Sequence, residues 1–311
     1  MTAYRYDIGL NDKYTFGTEI EFTGVNLERL ISILKNKNLP IRYELNHKWG
    51  LPKYDIWYLD EDCTVTKDVL GCAIGGELSS RIFTDTFTTW QEIKKVCETL
   101  NEANATVSPV CSNHIRVCLS SIKNKPQFFE IFTKLIAIME EEINLFFMGD
   151  DYLIRETKAN YARNLRCHLL DFINTVDFQN PEDYFFEMRK ARSGLLLFTN
   201  RDAINLNDFY DKQLMEIRYP NGTLNPKTIQ NNINFILKLI DAIDRGIFAS
   251  KEVSSIVEKI AQSDWVVDHL NHRNNPGSFE GLTRMISTSE EDVNDFMTQY
   301  EQVLSKKPPQ R

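Results

Sequence analysis

The sequence predicts an α+β protein: a sheet with one apolar face under helices and one face carrying charge, continued by a helical extension. Three observations predict it. Four short runs alternate with period two and set ionisable groups on one side. Between and after them lie longer runs with apolar residues at helical spacing. From about residue 249 the chain reads as polar, amphipathic helix. We read residues 1–248 as one domain and 249–311 as a helical extension packed on it.

The first alternating run is "YTFGTEIEFTG", residues 14–24, where Glu19 and Glu21 flank Ile20 between Phe16 and Phe22. Strands deplete glutamate, and glutamate is seldom buried without a partner, so two on one face of an apolar strand ask for a reason. "GGELSS" then places Glu77 and Ser79 on one face. "TFTTWQEIKKVCETLNEAN" reads as a helix, with Thr89 as N-cap and Glu92 completing a capping box. "NHIRVCL" returns to period two, with His114 and Arg116 opposite Ile115, Val117 and Leu119.

A long helix is expected from Pro126 through the phenylalanine-rich run that follows, at core spacing that calls for no ligand. Further helices open at Asn180-Pro181 and Asn225-Pro226, each an Asn cap followed by proline at the first helical position. The last alternating run, "MEIRYP", puts Glu216 and Arg218 on one face with Ile217 and Tyr219 opposite. "SKEVSSIVEKIAQ" and "SEEDVNDFMTQYEQVL" are amphipathic, with "NHRNNPGS" read as the loop between them.

Composition excludes some classes of function. Hydrophobic residues at 42% and charged residues at 26% are those of a globular chain. A net charge of −8 with no clustered basic surface argues against nucleic acid as a partner. Apolar runs such as "GLLLF" are too short to span a bilayer, which needs about 20 residues, so no membrane partner is expected. The N-terminal residues lack an apolar h-region, and the six cysteines form no CxxC pair. Together these predict reduced thiols and a cytoplasmic protein.

Residues i and i+2 of a strand sit side by side, about 6.5–7 Å apart. If the four runs share one sheet, Glu19, Glu21, Glu77, Glu216, His114, Arg116 and Arg218 meet on one face. Carboxylates that close cannot all remain ionised without cations among them. Carboxylates with one imidazole suit Mg²⁺ or Mn²⁺, and guanidinium forks suit phosphate, so the set describes a site for a metal–nucleotide triphosphate. The alternative is a solvated sheet face with cross-strand ion pairs worth less than about 1 kcal/mol each.

The order "FGTEIEF", "DEDCTV", "GGELSS", helix, "CSNHIRV", "MEIRYPNGTLNP" resembles the amidoligase family, over residues 14 to about 240. That resemblance implies a curved antiparallel sheet of the glutamine synthetase-like catalytic fold. It implies an ATP-dependent carboxylate–amine ligase working through an acyl phosphate, with two Mg²⁺ or Mn²⁺ ions and small-molecule or peptide carboxylate and amine substrates. Residue by residue, Glu19, Glu21, Glu77, His114 and Glu216 match metal ligands, and Arg218 matches a contact to the transferring phosphate. "NRDAINL" makes Arg201 a second phosphate contact. Arg116 stands where the family has a second histidine, which makes it a further phosphate contact or the mark of a divergent substrate or of a lost activity. Ser112-Asn113 and Ser80-Arg81 also depart from the pattern. The competing functions are phosphotransfer of the guanidino-kinase kind and a non-catalytic metal–nucleotide binding module.

Other candidates carry less. Asp62 matches a family aspartate but also suits a turn in "DEDCT". His269 and His272 are spaced as a metal pair in a polar segment, and His47 and His168 read as surface or packing residues. "GCAIGG" lacks the P-loop pattern. Cys111, close to His114, reads as a buried structural thiol rather than a nucleophile.

Overall fold

The computed structural model describes residues 3–10, 12–43, 55–69, 71–122, 125–149, 162, 165, 202–206, 208–249 and 276–306. The helices expected at Asn180-Pro181 and over 250–262, and the residues Arg201, His47, His168, His269 and His272, lie outside these.

Its elements in chain order are β1 (Phe16–Asn26), α1 (Leu27–Asn36), β2 (Ile41–Tyr43), β3 (Trp57–Asp60), β4 (Lys67–Val69) and β5 (Cys72–Ser79). Then follow α2 (Phe87–Glu102), β6 (Ile115–Cys118), α3 (Pro126–Phe146), β7 (Ile204–Asn205), α4 (Phe209–Lys212) and β8 (Leu214–Ile217). The last helices are α5 (Pro226–Asp244), α6 (Pro276–Ile286) and α7 (Glu290–Ser305).

One open sheet runs in the order β2-β3-β5-β1-β6-β8-β7, with β4 paired to the start of β5. The expectation of a wholly antiparallel sheet is corrected at one edge, where β2 and β3 run parallel. The remaining pairs are antiparallel. Period-two patterning reports which face a side chain takes, not which direction the neighbouring strand runs.

Alternation does what it predicts for the faces. Ile20, Phe22, Leu78, Ile115, Val117, Leu119 and Ile217 are buried in one core with Trp90 and Ile93 of α2 and Phe235 and Ile236 of α5. The ionisable residues between them are left for the opposite face. At Gly75 the backbone takes φ +83° beside the register shift of the β1–β5 pair, and a Cβ there would lie 2.9 Å from the Phe22 and Val65 carbonyls. The glycines of "GCAIGG" therefore serve a strand irregularity, not a phosphate loop.

The α2 cap is corrected. Thr86, not Thr89, is the N-cap, and its side chain accepts from the Thr89 backbone N–H. Four threonines within "TDTFTT" can each cap a helix. Starting at Thr86 buries Trp90 against Phe16, with ring centroids 5.6 Å apart. Glu92 is thereby freed to accept from Trp57 Nε1 at 2.7 Å and from Arg81. At α5 the expected cap holds: Asn225 Oδ1 accepts from Lys227 N, with Pro226 following. The segment read as the loop "NHRNNPGS" is helical from Pro276 onward, another proline at a first helical position.

The last two helices share the core of the first part of the chain. Phe279 of α6 stacks near Phe146 and Phe235, and Phe296 of α7 meets Phe235 edge-on, pairs worth about 0.5–1.5 kcal/mol each beyond area burial. A buried ionic seam joins α7 to α5 and the N-terminal segment. Asp292 takes Lys238 at 2.9 Å and Arg5 at 2.7 Å, and Asp295 takes Lys227 at 2.6 Å. Burial pushes the Asp292 carboxyl up, but the hydrogen bonds from Lys238 and Arg5 outweigh it and hold it down at about 2.

A carboxyl whose folded pKa lies below its ordinary 3.8 stabilises the fold above that value, and the contribution fades as pH falls toward 2. Asp292→Asn should therefore cost about 3–5 kcal/mol at neutral pH, because it strands the buried Lys238 charge. It should also blunt the acid unfolding of the parent between pH 4 and 2. Urea melts across that range test both; a parent and variant with parallel stability–pH curves would remove Asp292 as the cause.

Candidate functional site

The four alternating runs come together as neighbouring strands. The β1–β5 register sets Glu21 opposite Glu77 and Glu19 opposite Ser79. On the other side of β1, the Glu19 and Glu21 amides donate to the carbonyls of His114 and Ser112. The β6–β8 register sets Arg116 opposite Glu216. Five expected metal ligands and two of the three expected arginines thus share one face. Glu19, Glu21, His114 and Glu216 are all buried there. Arg201 lies outside the described residues.

Within this face the groups form two clusters. Ligand atoms of Glu19, His114 and Glu216 lie within 4.8 Å of one another, and so do those of Glu21, Glu77 and His114. His114 belongs to both. Its Nδ1 is 2.7 Å from a Glu19 oxygen and 3.5 Å from Glu216, while Nε2 is 2.9 Å from Ser112 Oγ. Ser112 in turn donates its backbone N–H to Glu21 Oε2 at 2.7 Å. Arg116 pairs with Glu19 through Nη2, which also lies 3.7 Å from Glu216, and Arg218 Nη1 donates to Glu216 at 3.1 Å.

The two clusters differ in charge. Burial alone would raise the Glu19 carboxyl, but Arg116, and after it His114 and Arg218, hold it well below the usual carboxylate range. Glu77 goes the other way. Burial, and then the neighbouring Glu19 and Glu21, push it well above that range, with the Ser79 hydroxyl at 2.7 Å a partial offset. Among the described residues no lysine or arginine lies within ion-pairing distance of Glu77. The negative charge gathered around half-buried Glu77 would be eased by a cation between these carboxylates. The residues present fit a hard divalent ion: carboxylate oxygens and one imidazole held by buried hydrogen bonds.

The segment carrying His114, just before β6, is set by the segment after β8. Asn113 N donates to Pro220 O, and its Oδ1 accepts from Thr223 N at 2.6 Å. Gly222 N donates to Cys111 O at 3.0 Å. A Cβ at Gly222 would sit 2.5 Å from Cys111 Cβ, so only glycine allows the approach. This gives "RYPNGT" a physical task, and it gives Asn113, a departure from the family pattern, a role in fixing the neighbour of His114. Cys111 is buried with Sγ accepting from Ser108 N, as a structural thiol would be. Asp62 accepts from the Thr64 amide at 2.7 Å and from its hydroxyl, with the Val65 and Thr66 amides on its carbonyl, so it builds a turn.

Sequence reasoning missed two polar residues on this face. Asp60 stands opposite Glu77 in the β3–β5 register, and Asn205 Nδ2 donates to Glu216 Oε2 at 2.7 Å. The alternation of buried Trp57 and Leu59 with Tyr58 and Asp60 is the signal for the first. The strand holding Asn205 has two residues, too few for any period to register.

The family model described as "putative amidoligase enzyme" matches residues 12–240. No curated protein matches the chain.

Proposed function

From the premise that the chain belongs to the amidoligase family, we propose that it is an ATP-dependent carboxylate–amine ligase that activates a small-molecule or peptide carboxylate as an acyl phosphate. The observation that carries the reading is the convergence of Glu19, Glu21, Glu77, His114 and Glu216 with two arginines on one sheet face, the other face being given to the core. Mg²⁺ or Mn²⁺ held by these carboxylates and the imidazole would neutralise charge on the ATP phosphates.

The chemistry asks little of acids and bases. A substrate carboxylate oxygen attacks the γ-phosphorus in line, the bond to the bridging oxygen breaks, and ADP leaves. The amine nitrogen then attacks the acyl carbon and loses a proton, and inorganic phosphate departs with the C–O bonding pair. The task left to the protein is positioning and charge, which rigid strands supply well. Arg218, fixed by Glu216, presents a fork to the transferring phosphoryl oxygens, and Arg201 is the second such contact in this reading.

Incubation with ATP, Mg²⁺ and pooled carboxylates and amines should release phosphate only when both co-substrates are present, with an amide product seen by mass spectrometry. Phosphate transfer to an acceptor without an amide would replace the reading with a phosphotransferase. Nucleotide binding with no turnover would leave a binding module.

A further inference from the structure

Building on the ligase reading, we infer that Arg116 is a resident cation that fills the Glu19–Glu216 position, so that this chain takes a single divalent ion, at Glu21, Glu77 and His114. Three observations on the same face point this way. The Arg116 guanidinium reaches both carboxylates of the Glu19–His114–Glu216 cluster, and Arg218 meets Glu216 from its own side. Two guanidinium charges already balance the two carboxylates of that cluster, so a divalent ion there would have to displace one of them.

The imidazole points the same way. Nδ1 is taken by Glu19 at 2.7 Å, so Nε2 is the ring nitrogen turned away from that carboxylate. Ser112 bridges that nitrogen to Glu21, through its hydroxyl on one side and its backbone N–H on the other. That ring nitrogen thus belongs with Glu21 rather than with Glu19. Finally, the Glu77 carboxyl, 2.7 Å from the Ser79 hydroxyl, has no lysine or arginine among the described residues within pairing distance. The sequence expectation of two ions, with Arg116 as a phosphate contact, is revised accordingly.

Binding of Mn²⁺ alone to the full chain, followed by electron paramagnetic resonance of the free ion and by calorimetry, tests this. The parent should bind a single Mn²⁺. Arg116→Gln should gain a second, because the charge filling the Glu19–Glu216 position is gone. Glu77→Gln, which leaves the Arg116 pairs in place, should lose the ion altogether. Thermal melts establish that each variant is folded, and Arg116 is half exposed and off the core face.

Two ions on the parent, no gain in Arg116→Gln, or an ion retained by Glu77→Gln would each overturn the inference while leaving a metal-dependent ligase standing. No Mn²⁺ on the parent would overturn the divalent-ion reading, and the inference with it.

Discussion

Glu19→Ala should cut ligase turnover by about 10²–10³-fold while the protein remains folded. Glu19 is the residue on which the site's charges converge: its carboxylate holds Arg116, faces His114 Nδ1, and lies within the field of Arg218. Without it the imidazole loses the partner that fixes its tautomer and ring orientation, a change that by itself costs about 10–100-fold at a metal site. Arg116 loses its anchor at the same time and is free to swing into solvent, since about half its side chain is exposed.

That freedom is also why the fold should survive. The stranded charge is not trapped, because the half-exposed Arg116 arm reaches water. Removal of Glu19 should let the Glu77 carboxyl fall toward its ordinary range, because Glu19 is one of the charges that raise it. Phosphate release with a thermal melt on the same sample is the measurement. Turnover close to that of the parent would end the assignment.

What the sequence makes legible is face, and what it hides is partner. Period two is enough to put Glu19 with Glu21, His114 with Arg116 and Glu216 with Arg218 on common faces, because side-chain alternation in a strand is a geometric necessity. Their meeting in one place depends on strand order, which the runs do not encode; the resemblance to a family supplied it. Arg116 shows the boundary. Its side of the strand follows from its position, but its pairing with Glu19 follows from the β1–β6 register and from the length of a guanidinium arm.

Local signals fail where several residues satisfy the same rule. Thr86 and Thr89 are equally good caps in isolation, and burial of Trp90 selects between them. Asp60 escaped notice because a four-residue strand offers only two residues per face. The parallel pairing of β2 with β3 leaves no mark on either strand's pattern. In each case tertiary packing decides among options that propensity leaves equal.

Arg218→Lys should lower kcat by about 10²–10³-fold, or about 2.7–4 kcal/mol of transition-state stabilisation, with a much smaller change in KM for ATP. The substitution keeps the charge and can keep the pairing with Glu216, so a purely structural role would be largely preserved. What it removes is the planar fork. Arg218 lies largely buried just beyond the end of β8, its amide fixed to Ala203 O at 2.7 Å and its Nη1 on Glu216, so the plane of its guanidinium is held in place. A lysine ammonium is a point charge on a flexible stem and cannot hold two phosphoryl oxygens at once.

The split between kcat and KM distinguishes the roles. A contact made equally to bound ATP and to the transition state would raise KM and spare kcat; one that strengthens as charge moves onto the transferring oxygens would lower kcat and kcat/KM together. Lysine with full kcat and a raised KM would demote Arg218 to ground-state nucleotide binding. Parent-like values of both would take it out of the phosphate site.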